Sequence, residues 1–576
     1  MKRSFNYLSL LMVGTIALSS CNPLNKMKSA STDVSYNVSP TPLEMHAEQV
    51  DVSIDVKYPP KYFAKKAVVI LTPVLTYEGG ETTFDPVTVQ GESVEENNKV
   101  IKNAEGGSVS YSGSVEYAES MRMSDLMIRA EAYVAGKEDN KVDLGSIKIA
   151  EGVVATANLV RTDPRPVMVA DKFQRITEDS YKADIHYIIN KANVRGSELK
   201  NEDIQKLEEY IESASKEERK ALEGVKISAY ASPDGPLDFN DKLSEDRQAS
   251  AKRYLERQLK KAEVNKADQE EFWTLMSTAE DWEGFKELVQ ESDIQDKDLI
   301  LRVLSMYDDP QVREREIKNM SATYEVLADE ILPELRRSKL IANVKKTGLS
   351  DEEIMSIFES NPDSLGMEEI LYAATLTDNL EKKQAIYQKA SENYPNCFRA
   401  KNNLGYVYVK MDQPAEAEQA FEAAQELKDN DVIKNNLGAV ALMQGDEEKA
   451  EELFTSGMGA GEAASYNLGI INIKKANYEA AINYFGNEPS YNLALAQILN
   501  TQTDAALTTL GNVEEQEDAG VYYLKAIVGA RTDNTEMLFN NLRGAVRVDS
   551  SLKESAKTDM EFAEYFENET FQSIVE

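Results

Sequence analysis

Residues Asn403 to Phe421 read NLGYVYVKMDQPAEAEQAF, and the rest of the C-terminal half repeats their pattern. Asn436-Leu437-Gly438, Asn467-Leu468-Gly469 and Asn492-Leu493-Ala494 follow Asn403-Leu404-Gly405 at steps of 33, 31 and 25 residues, and a fifth copy is centred on Ala526. Twelve residues after each small residue stand Ala417, Ala450, Ala481 and Ala506. Sixteen after stand Phe421, Phe454, Phe485 and Leu510. A small residue where two helices cross, with a bulky one a turn beyond, lets one helix hairpin stack on the next. Leu538 replaces the small residue in the fifth copy, and the 25-residue step predicts a second helix cut short by Gly486 to Pro489.

This repetition resembles the tetratricopeptide family, with 350–576 as an all-α solenoid. Met367 to Ala390 reads as a degenerate leading copy and 551–576 as the polar cap such arrays require. The resemblance implies that Asn403, Asn436, Asn467 and Asn492 line the groove, one from each first helix. An asparagine amide can bond both the N–H and the C=O of an extended peptide, so a ladder of them would hold a protein partner's backbone whatever its sequence. The competing reading is that each asparagine only orders its own helix neighbours. A carboxylate clamp would need basic residues in several copies, and Arg399 and Lys401 occur in one.

A second stretch, Lys226 to Leu255 (KISAYASPDGPLDFNDKLSEDRQASAKRYL), reads as an apolar strand, a Pro/Gly loop and a helix carrying Asn240, Leu243, Ser244 and Arg247. It resembles the OmpA C-terminal domain, the peptidoglycan-binding module of bacterial envelopes. Ala183 to Val194 is similar to that family's first strand. The expected α+β domain covers 171–346, with a first helix over Asn201 to Ala214, a last strand near Leu335 to Ile341, and a helical insertion over about 263–330. In that family an aspartate and the helix arginine grip the stem-peptide diaminopimelate. The arginine falls on Arg247, which can hold a carboxylate bidentately, but the aspartate position falls on Ser232, which cannot neutralise an ammonium group. Asp234 is the nearby acid that could take over. The other reading is a kept fold whose pocket is dead or shaped for another ligand, with Arg247 pairing a local acid.

The N-terminus sets the compartment. A basic start, an apolar run from Tyr7 to Leu18, and Leu18-Ser19-Ser20-Cys21 look like a bacterial lipobox. The resemblance implies a signal peptide over 1–20, and lipidation of Cys21 with chains such as palmitate, which two or three together anchor durably. Asn22 and the lack of an acidic cluster after Cys21 favour the outer membrane and its periplasmic face. A polar tether is expected over 21–43. Val50, Val52, Ile54 and Val56 alternate with polar residues, and further short strands follow, which predicts an immunoglobulin-like all-β sandwich over 44–165.

The net charge of −36, or −38 without Lys2 and Arg3, disfavours nucleic acid and anionic lipid as partners. Two cysteines, Cys21 and Cys397, and two histidines, His46 and His186, leave too few ligands for a Cys/His metal site. No G-x-S-x-G elbow accompanies either histidine, and no spacing singles out a carboxylate pair. The expectation is therefore no enzyme, no cofactor and no metal. The multidomain pattern resembles OmpA-like/tetratricopeptide lipoproteins of the Bacteroides group. It predicts an envelope scaffold, its central domain contacting peptidoglycan and its repeats binding protein partners. The alternative is an accessory factor for outer-membrane protein assembly, secretion or fimbrial biogenesis, with a vestigial OmpA-like pocket.

Overall fold

Alternating Val50, Val52, Ile54 and Val56 are all buried, and they form one wall of a two-sheet sandwich. The computed structural model describes residues 23–576, apart from the side chains of 321–323, so the Cys21 expectation lies outside the described residues. The described chain divides into two compact units. The first runs to Ala170 and resumes at Lys383–Glu576; the second is Asp171–Lys382.

In the first unit ten strands build the sandwich: β1 (Ser35–His46), β2 (Gln49–Tyr58), β3 (Ala67–Tyr77), β4 (Gly80–Thr83), β5 (Val87–Gly91), β6 (Lys99–Ile101), β7 (Gly107–Glu116), β8 (Asp125–Val134), β9 (Val142–Glu151) and β10 (Val153–Val154). One sheet has the order β10-β1-β2-β7 and the other β6-β5-β3-β8-β9, with β4 beside β3. A single core that includes Leu43, Val52, Phe63, Val69, Leu126 and Ile128 lies between them. The sandwich begins earlier than the sequence suggested. In place of a polar tether, Pro23–Ser29 is a helix whose Leu24 and Met27 are buried in this core, and β1 starts at Ser35. Two apolar side chains on one face of a short helix suffice to draw it onto the sheets. The sandwich also ends earlier than residue 165, since its last strand is β10.

The repeats of the same unit are five helix hairpins. Their first helices are Phe398–Lys410, Asp431–Met443, Glu462–Lys474, Tyr491–Leu499 and Ala519–Arg531. Their second helices are Pro414–Gln425, Glu447–Ser456, Tyr478–Phe485, Thr503–Leu510 and Thr535–Val548. The glycines are required by contact. A Cβ at Gly405 would lie 2.6 Å from the Phe421 ring, at Gly438 2.7 Å from Phe454, and at Gly469 2.5 Å from Phe485. The short Tyr478–Phe485 helix stops at Gly486, whose φ of +66° suits only a residue without a Cβ. The closing segment 551–576 is less polar than a plain cap, because Phe562, Phe571, Ile574 and Val575 complete the repeat core. Leu159 and Val160 pack on that core, and the His46 Nδ1 lies 2.9 Å from the Tyr478 hydroxyl, joining sandwich to repeats.

The second unit carries a four-stranded sheet of order β11-β14-β12-β13, from β11 (Ile176–His186), β12 (Lys220–Tyr230), β13 (Trp273–Thr278) and β14 (Arg337–Thr347). The helices Glu202–Lys216 and Leu237–Lys261 cover one face through Ile204, Leu207, Ile211, Ala251 and Leu255. The insertion is not wholly helical. Trp273–Thr278 pairs parallel to β12 as an edge strand, preceded by the short 3-10 turns Asn265–Asp268 and Glu270–Phe272, and the α-helices start at Trp282. They close a small core of their own around Phe285, Ile300 and Leu335. The helices Asp351–Ser360 and Met367–Ala373 also belong to this unit, not to the repeat unit. No helix of the described residues is long and apolar enough to cross a membrane.

Candidate functional site

The repeat asparagines sit on one file because each occupies the same turn of successive first helices, two residues before the small crossing residue. Buried amides must find partners, and Asn403, Asn436, Asn467 and Asn492 are all buried. Their partner is the chain itself. Residues 161–170 (RTDPRPVMVA) run through the groove in the direction opposite to the repeats.

Asn492 accepts from the Arg161 N–H at 2.9 Å and donates to the Arg161 carbonyl at 2.9 Å. Asn467 does the same to Arg165 at 2.7 and 3.2 Å, Asn436 to Val167 at 2.7 and 2.8 Å, and Asn403 to Val169 at 2.8 and 2.9 Å. Each amide thus copies half of a β-ladder. Steps of 31 and 33 residues along the array advance the bound segment by two residues, the repeat of an extended chain. The 25-residue step advances it by four. Over that longer interval the Tyr466 hydroxyl donates to Asp163 (3.0 Å) and Asn492 adds a bond to the same carboxylate (3.0 Å).

The bound segment is shaped for this. Pro164 and Pro166 lack an N–H and stand at alternate positions, so every N–H that the ladder requires is present. Both prolines are buried, and each restrains the residue before it to extended backbone. Two arginines clip the segment down. The Arg161 guanidinium lies 3.8 Å from the Tyr491 ring centroid and pairs with Asp518, whose carboxylate also caps the helix Ala519–Arg531. Arg165 lies 3.7 Å from the Tyr466 ring and pairs with Glu488 at 2.8 Å. The groove expected to receive a protein partner is therefore filled from within the chain.

Sequence reasoning missed the second file. Asn402 and Asn435, buried beside the first, donate to the carbonyls of Val167 and Arg165 at 3.1 Å each. They also join neighbouring repeats, Asn436 donating to Asn402 at 2.9 Å and Asn467 to Asn435 at 3.0 Å. The signal was visible as the doublets Asn402-Asn403 and Asn435-Asn436. The strap itself left only a Pro-alternating run of ten residues.

In the second unit the structure brings Ser232, Asp234, Asn240 and Arg247 around one loop, but closes it. Arg247 is 0% exposed. Its Nε donates to the Lys191 carbonyl (3.1 Å) and its Nη1 to the Tyr230 carbonyl (2.7 Å), and the guanidinium stands over the Tyr187 ring. Nη2 is buried with no acceptor. Burial, with Arg336 close by, pulls this guanidinium down to about 10, so it stays charged at neutral pH. Asp234 is spoken for: Arg336 pairs with it at 3.2 Å, Ser232 donates to it, and the Lys318 ammonium of the insertion bonds its carbonyl at 3.3 Å. Asn240 ties the loop through the carbonyls of Ser232 and Gly235 at 3.0 and 3.1 Å. Arg247 thus bonds backbone carbonyls and stands over an aromatic ring, and among the described residues no carboxylate is in hydrogen-bond contact with it. Cys397 is buried at the start of the helix Phe398–Lys410, and no cluster of metal-binding side chains occurs among the described residues.

The stacked hairpins and their asparagine-lined face define a tetratricopeptide-type helical array behind a β-sandwich. No family model matches the chain, and no curated protein is similar to it. Similar solved structures include Cut9 in the APC/C hetero-tetramer Cut9–Hcn1, at 13% identity and TM-score 0.32 over 59% of this chain and 76% of that one. A tetratricopeptide repeat protein from Parabacteroides merdae is similar at 15% identity and TM-score 0.29, over 36% and 91%. PilF of Pseudomonas aeruginosa is similar at 16% identity and TM-score 0.28, over 37% and 97%.

Proposed function

We propose that this chain is a non-enzymatic scaffold lipoprotein of a bacterial cell envelope. It is anchored through Cys21 in the outer membrane, on the periplasmic face, and serves outer-membrane protein assembly, secretion or surface-structure biogenesis through protein contacts. The filled groove carries the reading. An array that consumes its backbone-binding face on residues 161–170 acts as a rigid mount for the sandwich, and partners meet its other surfaces. A tethered segment competes at a high effective concentration, typically millimolar for a short linker, which a free peptide seldom reaches.

A synthetic RTDPRPVMVA peptide tests this. It is expected not to bind the intact chain, and to bind a chain in which 161–170 is replaced by a Gly/Ser linker of equal length. Equal binding to both would mean an open groove and a capture function. Anchoring is tested separately: palmitate labelling and membrane fractionation should both be lost in Cys21→Ser.

The closed Arg247 pocket supports the OmpA-like domain as a vestigial wall binder. One observation favours the rival, wall contact: the Arg247 Nη2 donor is buried without an acceptor, as a site awaiting a carboxylate would be. Incubation of the full chain with insoluble peptidoglycan sacculi decides. No co-sedimentation is expected; co-sedimentation lost in Arg247→Ala and Asp234→Ala would instead establish a wall anchor.

A further inference from the structure

The sandwich has one long strand edge left unpaired. β7 pairs with β2 over all ten of its residues without a bulge, and it ends its sheet. Alternate residues of such a strand turn their N–H and C=O to the open side. Among the described residues no backbone group meets them there. Proteins normally keep an edge of this kind short, or break it with charge, proline or a bulge. The other sheet ends of this chain follow that rule. β10 has two residues, β6 three and β13 six, while β9 slips register twice against β8. β11 carries Glu178, Asp179, Lys182 and Asp184. β7 (GSVSYSGSVE) has no proline, and its one charge is Glu116, the last residue.

We infer that this edge pairs with the same edge of a second copy, antiparallel about a two-fold axis at Ser112, so that two sheets become one. A two-fold contact must be self-complementary, and β7 reads nearly alike in both directions from Ser112. Val109 falls opposite the partner's Val115, Ser110 opposite the partner's Ser114, and Tyr111 opposite the partner's Gly113. Tyr111 already leans over its own Gly113, where a Cβ would lie 2.2 Å from the hydroxyl. An aromatic facing a glycine is a recognised way of pinning strand register. At each end Glu116 meets the partner's Ser108, and the next residue in that row is the partner's Lys57. Glu116 and Lys57 are both exposed, and two long side chains of opposite sign span two strand spacings, ~10 Å. Asp51 and Asp55 stay on β2, about three spacings (~14 Å) from the partner's Asp55 and the partner's Asp51. That exceeds the screening length of ~8 Å in physiological salt. A chain of net charge −36 thus meets its copy along a strip free of opposed like charges. The contact owes nothing to the groove or to Arg247, so it stands independently of the function proposed above.

The full chain with Cys21→Ser, which leaves buried Cys397 as its one cysteine, is the test material. Sedimentation equilibrium is expected to show a dimer. Ser112→Lys sets two ammonium groups face to face on the axis and should raise the dissociation constant about tenfold or more. Ser53→Lys adds the same charge one strand further in and should leave the dimer unchanged. Ser112→Cys should form an inter-chain disulfide on mild oxidation, because facing residues in such a pair have Cα atoms ~4.5–5.5 Å apart, within disulfide range. Ser108→Cys should not, because its two copies lie at opposite ends of the paired stretch. A monomer throughout the concentration series overturns the inference. So does a dimer indifferent to Ser112→Lys, or one that cross-links through Ser108→Cys as readily as through Ser112→Cys.

Discussion

Asn467 and Arg165 stand 302 residues apart in the chain and meet as a β-bridge would. The amide oxygen accepts from the arginine N–H at 2.7 Å, and the amide nitrogen donates to its carbonyl at 3.2 Å. The same side chain passes a further bond to Asn435 at 3.0 Å. One residue therefore both holds the strap and ties two repeats together, which makes it the natural place to break the clamp.

Asn467→Ala and Asn436→Ala each leave a half-buried strap N–H, of Arg165 or Val167, without its acceptor, while the carbonyl of the same residue keeps only the bond from Asn435 or Asn402. Each is expected to cost about 1–3 kcal/mol, read by thermal unfolding. Hydrogen exchange at Arg165 and Val167 should accelerate. Because both amides belong to one network, the double mutant is expected to cost less than the sum of the two.

Arg165→Lys keeps the charge but loses the flat guanidinium over Tyr466. A loss of about 0.5–2 kcal/mol is expected, with faster proteolysis within 161–170. If the pair with Glu488 mattered more than the ring, Glu488→Gln would do equal damage; that pair is exposed, and the expected effect is under about 1 kcal/mol.

Gly438→Ala drives a methyl into the Phe454 ring. A cost of about 1–3 kcal/mol is expected, measured by chemical denaturation. Phe454→Leu in the same chain should recover part of it, since the smaller side chain vacates the contact.

Asp559 is buried in the closing segment, where it accepts from the Tyr523 hydroxyl at 2.8 Å, with Glu561 and Arg122 nearby. Burial first, then Glu561, raise its carboxyl above the ordinary 3.8. The folded state thus holds this proton more tightly than the unfolded chain. The stabilising contribution is complete below 3.8 and is lost as pH rises through the raised value. Asp559→Asn should remove that part of the slope. A melting-temperature profile against pH that is parallel in mutant and parent would refute it.

The pattern of Gly405, Gly438 and Gly469 with Phe421, Phe454 and Phe485 was legible because close helix crossing is a local demand: the pair lies sixteen residues apart within one hairpin. Alternation at Val50 to Val56 was legible for the same reason. The helix Pro23–Ser29 was not, because its burial depends on sheets formed by residues far downstream. Nor was β13, a short uncharged strand that takes its state from pairing with β12.

The sequence alone determined that Asn403, Asn436, Asn467 and Asn492 hold one equivalent position in successive repeats, and the family resemblance implied that this position lines the groove. It also carried Arg247 onto a helix after a strand and loop. What fills the groove and what covers the arginine were decided only by the tertiary structure. An asparagine ladder reads backbone and not side chains, so nothing in its own residues names its ligand. Arg165 reaches Asn467 only once the sandwich and the repeats pack. Likewise Lys191, Tyr230 and Lys318 come to the Arg247 loop from three separate elements, and closure of that site is a property of their assembly, not of the motif.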